Sequence, residues 1–275
     1  MKFETTFTEE SLMHKYVIEV KKEIEHICNW IKRYFVDNGP NSKAVIGMSG
    51  GKDSTITAAL LCEALGPDRV YGVIMPDGEM KDLDLAVKIC EGLDIEYRII
   101  NIKDIVANFY NAFGHDCTSN DRITTNTPAR IRMAVLYAVA AEIGGRVANT
   151  CNYSEDYIGF STKYGDLAGD FSVLQEYPMR WVREIGEELS LPLGWVYKTP
   201  EDGMCGQSDE EKFGFTYEML DNYLIDEAIP PYYIYSAIEK MHKNNVHKGA
   251  INLPRPRVYT KHNYGAEYNE SDFWF

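Results

Sequence analysis

The sequence lacks the features that mark membrane-spanning, secreted and nucleic-acid-binding proteins. Its longest apolar run, residues 133–141, is far shorter than the roughly 18 residues that a membrane span needs. The opening residues, MKFETTFTEES, hold no apolar segment of the kind found in secretory signals. The 28 basic residues are outnumbered by 42 acidic ones, and the net charge of −14 opposes binding to nucleic acid or to anionic membranes. We therefore expect neither a membrane nor a nucleic acid as partner.

The six cysteines show no pairing pattern. They stand at positions 28, 62, 90, 117, 151 and 205, without a C-x-x-C pair, and their spacing is too wide for a zinc clip. In a chain of this size with no visible secretory signal, such cysteines are interpreted as reduced thiols that pack in the core. We expect a cytoplasmic location on this ground.

The order of apolar segments predicts an α/β fold in a single domain. The 275 residues, 45% of them hydrophobic, are enough for one large core. Short apolar runs predict strands at residues 44–48, 70–75, 95–102 and 146–150. Helical periodicity between them predicts helices at residues 53–65, 82–93, 128–143 and 178–189, with another ending at Phe113. Strand–helix–strand order with short connections predicts a Rossmann-like parallel sheet with helices on both faces.

An amphipathic helix dominates residues 1–39. Apolar residues recur there at steps of three and four, which is the helical period. They are Met13, Val17, Val20, Ile24, Ile27, Ile31 and Tyr34. The following Gly39-Pro40 pair ends the helix, which therefore carries one broad apolar stripe.

A glycine-rich turn follows the first predicted strand at once. Residues 49–54 read Ser-Gly-Gly-Lys-Asp-Ser and lead straight into a predicted helix. The two glycines allow a tight turn and a close approach to a ligand, and the N–H groups of a helix start favour an anion. A turn that serves packing alone is the alternative. The turn is not a Walker A motif, because Asp53 follows Lys52 where that motif has Ser or Thr. A carboxylate there suits magnesium on a pyrophosphate leaving group.

The turn resembles the pyrophosphate-binding loop of the ATP pyrophosphatases, which cleave ATP between its α and β phosphates and adenylate a substrate. They include NAD synthetases, GMP synthetases, argininosuccinate synthetases and tRNA-modifying enzymes, and the loop alone does not choose among them. Later motifs resemble those of NAD synthetases, in order over most of the chain. They are Asn126-Thr-Pro-Ala-Arg130-Ile-Arg132-Met133, Thr150-Cys-Asn152-Tyr-Ser-Glu155, Gly159-Phe-Ser-Thr162-Lys163-Tyr164-Gly165-Asp166 with Asp170, Asp209-Glu210 with Gly214 and Tyr217, and His247-Lys248.

This resemblance implies an adenine nucleotide alpha-hydrolase-like fold and a ligase that converts deamido-NAD to NAD. ATP would adenylate the nicotinate carboxylate, pyrophosphate would leave, and ammonia would displace AMP. Glutamine-dependent relatives carry a separate glutaminase domain, and only about thirty residues follow the motifs here, too few for a domain, so the ammonia-dependent form is expected. The implied cofactor is Mg²⁺, with ATP as co-substrate. The implied assembly is a homodimer, with the helix of residues 1–39 at its interface.

The resemblance also assigns roles to individual residues. Asp53 and Glu155 would bind magnesium and form the catalytic group together with Lys163, placed near the reacting end of the substrate. The ATP-binding residues would be Gly47, Met48, Ser49, Gly50, Gly51, Lys52, Asp53, Ser54, Thr150 and Arg180. The dinucleotide substrate would meet Asn126, Arg130, Lys163, Asp170, His247 and Lys248. Side-chain chemistry leaves an alternative for the two acids, a surface ion pair, and one for Arg130 and Arg132, a helix face paired with the chain's acids. Cys151 is interpreted as a packing residue.

Three positions depart from the NAD synthetase pattern. Met179 stands where the family has a Lys aimed at the ATP phosphates, Glu201 stands where it has Ser or Thr, and residues 74–76 lack a basic residue that some members carry. Lys52 or Arg180 would then supply the missing charge, since a thioether offers none. Two other hypotheses remain: a tRNA-modifying ATP pyrophosphatase, which the net charge opposes, and a nucleotide-binding homologue without activity.

Overall fold

The chain folds around one parallel β-sheet in a computed structural model that describes residues 18–114, 116–198, 209–249 and 253–258. The strands are β1 (Ala44–Gly47), β2 (Val70–Ile74), β3 (Glu96–Ile99), β4 (Arg146–Asn149) and β5 (Phe171–Ser172). Their order is β3-β2-β1-β4-β5, and every neighbouring pair is parallel. The direction of winding changes between β1 and β4, so the loops after these two strands flank the switch point where α/β sheets bind ligands.

Helices connect the strands and cover both faces of the sheet, which confirms the predicted Rossmann-like α/β fold. The helices are α1 (Val20–Asn38), α2 (Lys52–Leu65), α3 (Leu83–Gly92), α4 (Lys103–Asn111), α5 (Asp121–Ile143), α6 (Tyr153–Ile158), α7 (Met179–Glu188), α8 (Leu193–Val196), α9 (Asp209–Phe213), α10 (Tyr217–Asp226) and α11 (Tyr232–Asn245), with a 3₁₀ turn at Pro67–Arg69.

The two faces of the sheet contact different helices because side chains alternate along each strand. From β1, Ala44 and Ile46 join the core that α1, α2, α3 and α7 share. Val45, between them, lies on the opposite face and packs with Val147 of β4 against α4 and α5. A third apolar cluster joins α6 and the start of α7 to α9, α10 and α11, with Tyr217 among its members.

The apolar stripe of the N-terminal helix is used inside the chain. Ile27 and Ile31 are fully buried in the core that α1 forms with α2 and α7. Met13 and Val17 lie outside the described residues. Because internal packing accounts for the described part of the stripe, this stripe lends no support to the expected dimer interface, and the homodimer remains a proposal.

The helix that was expected to begin at Pro128 begins at Asp121 instead, so that prediction was wrong. Asn120 caps it, since the side-chain oxygen accepts a hydrogen bond from the Arg122 N–H at 3.0 Å. Pro128 lies inside the helix, where its missing N–H leaves one helical hydrogen bond unmade. The longer helix carries Asn126 as well as Arg130.

The described residues include no helix with both the length and the apolar character that crossing a membrane would demand.

Candidate active site

A glycine-rich loop joins β1 to α2 at the carboxyl edge of the sheet. Gly50 has a φ of +76°, and a Cβ added there would lie 3.2 Å from the Cβ and the carbonyl oxygen of Asp82. Glycine is therefore required for the left-handed conformation and for close contact with the residue before α3. Ser54 Oγ donates to the Gly51 carbonyl at 3.0 Å, and Ser49 Oγ accepts from the Gly51 N–H at 3.1 Å. This fixed turn presents the first N–H groups of α2, which favour an anion.

Two further predicted ATP-binding residues are not exposed: Met48 is buried and Thr150 is half-buried. The Met48 side chain is buried in the core, and its N–H donates to the Val73 carbonyl at 2.9 Å. Met48 therefore supports the loop from below rather than offering a side chain to ATP. Thr150 is half-buried directly after β4, the strand beside β1.

Asp53 and Glu155 lie in the first turns of two helices that follow neighbouring strands. Asn152 links them, because its Nδ2 donates to Asp53 Oδ1 at 3.1 Å while its Oδ1 accepts from the Glu155 N–H at 3.0 Å. The pKa of Glu155 is raised well above its ordinary range, first by burial and then by the Asp53 carboxylate, while Lys52 opposes the rise. The structure thus brings the two predicted acids together.

These acids fit a magnesium ion that is shared with a substrate. Mg²⁺ in phosphate-transferring sites is held by one or two carboxylates, with phosphates and waters completing the shell. The described part of the chain contains no cluster of three or more metal-ligating side chains that would hold an ion by itself. Asp53 and Glu155 are therefore a donor pair suited to a metal that arrives with ATP.

Lys52 lies directly against this pair. Its Nζ is 2.9 Å from Asp53 Oδ2 and 5.7 Å from the centre of the Tyr217 ring. The Lys52 side chain is only 3% exposed. The ion pair is therefore enclosed, unlike the surface ion pair that side-chain chemistry had left open for Asp53.

Lys198 is a second cation at the loop, and sequence reasoning missed it. Its Nζ donates to the Gly50 carbonyl at 3.3 Å and lies 2.5 Å from Asp82 Oδ2. Lys198 follows α8, far from the loop along the chain, so no local pattern marks it. Its contacts tie the loop to the start of α3.

Met179 and Arg180, the positions in doubt, both contact other parts of the chain. Met179 is fully buried in the third apolar cluster. The Arg180 guanidinium donates to Asp226 Oδ2 at 3.0 Å and to the Asn222 side chain, so that α7 is tied to α10. These contacts make Lys52, rather than Arg180, the nearer source of positive charge for a nucleotide on the loop. Glu201 and Cys205 lie outside the described residues.

Most predicted substrate residues meet in a second group beside α5. Arg130 Nε donates to the Lys163 carbonyl at 3.2 Å, and Lys163 Nζ donates to the His247 carbonyl at 2.8 Å. Asn126 Oδ1 accepts from the Thr162 hydroxyl at 2.8 Å.

The last member of this group, Lys248, closes it from the C-terminal side. Lys248 Nζ donates to the carbonyls of Gly159 and Ser161 at 2.8 and 2.9 Å. Carbonyl partners orient the two lysines of the group and add no negative charge. Burial lowers the pKa of Lys248, and the nearby Asp166 carboxylate opposes that effect. The group therefore suits an anionic ligand.

Asp170 and Arg132 make hydrogen bonds to the backbone of the sheet and of the residue that follows β2. The Asp170 carboxylate accepts from the Val147 N–H at 2.7 Å and from the Tyr137 hydroxyl at 3.2 Å. Arg132 Nε donates to the Met75 carbonyl at 3.0 Å, directly after β2. Asp170 thus lies beside α5, but its oxygens are already engaged within the chain.

Cys151 packs at the end of β4 as expected. The thiol is buried, and burial raises its pKa well above the ordinary value, with nearby carboxylates adding to the rise. A thiol that stays protonated is a poor nucleophile.

A parallel sheet with an anion-binding loop at its switch point defines a nucleotide-binding α/β protein. The family model for NAD synthase matches residues 23–252. The NH(3)-dependent NAD(+) synthetase of Pyrococcus furiosus is 36% identical over 228 residues, which cover 78% of this chain and 88% of that protein. The corresponding protein of Methanocaldococcus jannaschii is 37% identical over 211 residues, covering 74% and 81%. The chain belongs to the NAD synthase family. It is therefore a ligase that uses ATP as co-substrate.

Solved structures give the same fold. The NMN synthetase of Francisella tularensis is 30% identical, with a TM-score of 0.79, and the match covers 86% of this chain and 98% of that one. The NH3-dependent NAD synthetase of Campylobacter jejuni is 26% identical, with a TM-score of 0.68 and the same coverage. These two structures carry different product names, which matters for the choice of substrate.

Proposed function

We propose that this protein is an ammonia-dependent NAD synthetase that amidates nicotinic acid adenine dinucleotide. The observation that carries the proposal is the pairing of Asp53 and Glu155 through Asn152 at the end of an anion-binding loop. Relatives named NH(3)-dependent NAD(+) synthetase support the substrates.

The reaction has two steps. A nicotinate carboxylate oxygen attacks the α phosphorus of ATP, a new P–O bond forms, and the bond to the bridging oxygen of pyrophosphate breaks. Ammonia then attacks the acyl carbon, AMP leaves with the C–O electron pair, and the nitrogen loses a proton. The first step turns an oxide, which cannot leave, into AMP, which can.

The loop and its neighbours serve the first step. The N–H groups at the start of α2 bind phosphate oxygens, and Lys52 adds a positive charge. Asn152 holds Asp53 and Glu155 in position for Mg²⁺, which offsets charge on the leaving pyrophosphate when bound. Thr150 directly follows β4, the strand beside β1, and contacts the nucleotide in this proposal.

The group beside α5 serves the acceptor. Arg130, Lys163 and Lys248 supply three positive charges for the phosphates and the carboxylate of the dinucleotide. His247 and Asn126 complete the group, and Lys163 acts nearest the reacting end. Asp170 accepts a hydrogen bond from the Tyr137 hydroxyl and so holds this part of α5 in place for the same ligand.

The proposal includes a homodimer and a cytoplasmic location. The free thiols of cysteines 28, 62, 90, 117 and 151 support a reducing compartment. Sedimentation at micromolar concentration tests the dimer: an active protein that sediments only as a monomer would contradict it.

A second candidate acceptor is nicotinic acid mononucleotide. The match to a solved NMN synthetase has a TM-score of 0.79, against 0.68 for the Campylobacter jejuni NAD synthetase. Both acceptors present the same carboxylate, and they differ in whether an adenylate half must be bound.

A pyrophosphate-release assay with ATP, Mg²⁺ and ammonium separates these functions. We expect release to require an acceptor and kcat/KM to be higher for the dinucleotide than for the mononucleotide. Asp53→Asn and Glu155→Gln should each lower the rate by about a hundredfold or more with circular dichroism unchanged. A preference for the mononucleotide would identify an NMN synthetase. Pyrophosphate release only with tRNA, or ATP binding without release, would support the alternatives named above.

A further inference from the structure

Lys52 occupies the place at Asp53 where a divalent cation would bind. One carboxylate oxygen, Oδ1, accepts from Asn152, and the other, Oδ2, lies 2.9 Å from the Lys52 ammonium. Both oxygens therefore have a partner before any ion arrives.

The ammonium is held there by its surroundings. The Lys52 side chain is 3% exposed, and the Tyr217 ring lies 5.7 Å from the Nζ. An ammonium over an aromatic face is attracted by the negative face of the ring, more so where water is excluded. The same ion pair in water would contribute little.

A magnesium ion and the ammonium cannot share Asp53 without strong repulsion. Magnesium binds carboxylate oxygens at about 2.0–2.1 Å, so two cations on one carboxylate would lie within a few ångströms of each other in an enclosed pocket. Each Asp53 oxygen keeps a further lone pair that a metal ion can use, so the metal can bind, and the repulsion then favours displacement of the ammonium.

We propose that Lys52 is a tethered cation that neutralises Asp53 in the metal-free protein, yields to the divalent ion, and then contacts the phosphates. The proposal rests on the proposed function only for the identity of those phosphates. A lysine has a flexible four-carbon stem and three donors, so its ammonium can move while its backbone stays at the start of α2. The N–H groups of that helix start are the anion site to which it would move.

The proposal predicts an effect opposite to that of a metal ligand. If Lys52 competes with the metal, its removal strengthens metal binding in the absence of nucleotide. If Lys52 merely stabilises the loop, its removal weakens metal binding or leaves it unchanged. Binding of a nucleotide with its metal should weaken in the first case, because the phosphates lose a partner.

The experiment measures Mn²⁺ binding to the full-length protein by electron paramagnetic resonance, without nucleotide and at constant pH. Lys52→Met keeps the length of the side chain and removes the charge, and Lys52→Gln is a second, polar replacement. Lys43→Met is a matched control, since Lys43 lies 2.7 Å from Glu96 and 5.6 Å from the Tyr71 ring, just before β1 and away from the loop.

We expect both Lys52 variants to bind Mn²⁺ at least about fivefold more tightly than the wild type, and Lys43→Met to match the wild type. Affinity for a non-hydrolysable ATP analogue with Mn²⁺ should fall about tenfold or more in the same variants. Mn²⁺ should also raise the melting temperature more in Lys52→Met than in the wild type, which reports binding even where the metal-free variant is unstable.

Unchanged or weaker Mn²⁺ binding in both Lys52 variants would overturn the proposal, and so would equal tightening in Lys43→Met. Tighter Mn²⁺ binding with unchanged affinity for the analogue would overturn the transfer to phosphate. None of these readouts depends on turnover. A protein that shows the Mn²⁺ effect yet amidates no acceptor would contradict the proposed function and leave this inference standing.

Discussion

Asn152 donates a hydrogen bond to Asp53 at 3.1 Å from a position 99 residues further along the chain. The same side chain caps α6 by accepting from the Glu155 N–H, and it is fully buried. One amide therefore sets the orientation of one acid and the start of the helix that carries the other. The spacing of the two acids depends on a residue that needs no contact with substrate.

Replacing Asn152 should weaken the response to magnesium. Asn152→Ser keeps an oxygen that can cap α6 but is too short to reach Asp53, whereas Asn152→Ala loses both contacts. We expect both variants to need about tenfold or more Mg²⁺ for half-maximal pyrophosphate release, because residues that orient metal ligands contribute at that scale. Asn152→Ala alone should also lose about 1 kcal/mol of unfolding free energy. A serine variant with the wild-type Mg²⁺ response would show that the Asp53 contact is dispensable.

Sequence patterns predicted the positions of the two acids because each follows a strand, and parallel strands end at one edge of the sheet. The motifs could not predict Asn152 as the link between them, since that contact joins two loops through space. Lys198 was missed for the same reason: Asp82 and Gly50, its partners, belong to other elements.

Two local signals also misled. Within helices, proline is favoured at the first position, yet α5 begins earlier, after its cap Asn120, and contains Pro128 in its interior. The apolar stripe of α1 was compatible both with a dimer interface and with packing in the core. Periodicity alone does not distinguish these two uses.

The buried carboxylate of Asp221 should make stability depend on pH. Burial raises its pKa from an ordinary value of 3.8 to about 6, against the opposing effect of the Ser154 hydroxyl and the Arg180 N–H. The folded state then holds the proton more tightly than the unfolded state, so this contribution is complete below about pH 4 and is lost as the pH rises through 6. The total loss is roughly 3 kcal/mol, of which about half falls between pH 5 and pH 7.5.

Asp221→Asn isolates this effect, because an asparagine can accept from Arg180 N–H and does not titrate. Urea unfolding at pH 5 and pH 7.5 should show a smaller fall in the free energy of unfolding for the variant than for the wild type, by on the order of 1 kcal/mol. Equal falls in the two proteins would mean that Asp221 keeps an ordinary pKa.

The group beside α5 should govern the affinity for the acceptor and leave ATP alone. Arg130→Ala and Lys163→Ala each remove a positive charge that has no role at the loop. We expect the KM for the dinucleotide to rise about ten- to hundredfold, the scale of a hydrogen bond to a charged group, with the KM for ATP unchanged. Arg98→Ala, which breaks an exposed ion pair with Glu142, is the control and should match the wild type in both. A parallel rise in both KM values would assign Arg130 and Lys163 to the ATP site instead.

The burial of Met179 argues against the gain in turnover that the family motif suggests for a lysine at this position. A lysine there would restore the cation of the family, and on that ground Met179→Lys should raise turnover. The Met179 side chain, however, is fully buried in the apolar cluster that contains Ile158, Tyr217 and Leu220. An unpaired ammonium in that cluster costs several kcal/mol, so we expect a lower melting temperature and no gain in rate. Met179→Leu, of similar volume, should match the wild type in both.

Arg180, the neighbouring candidate, should affect stability more than catalysis. Its guanidinium is engaged by Asp226 and Asn222, and its loss would leave the partly buried Asp226 carboxylate without this partner. Arg180→Ala should therefore lower the unfolding free energy by about 1–3 kcal/mol, with the KM for ATP within about twofold of the wild type. Lys52→Ala should show the opposite pattern, with turnover falling by about a hundredfold or more, since it removes the charge nearest the loop. A large rise in the KM for ATP in Arg180→Ala, without loss of stability, would mean that Arg180 leaves α10 to bind phosphate. The positive charge that the family places on a lysine facing the phosphates would then come from Arg180 in α7.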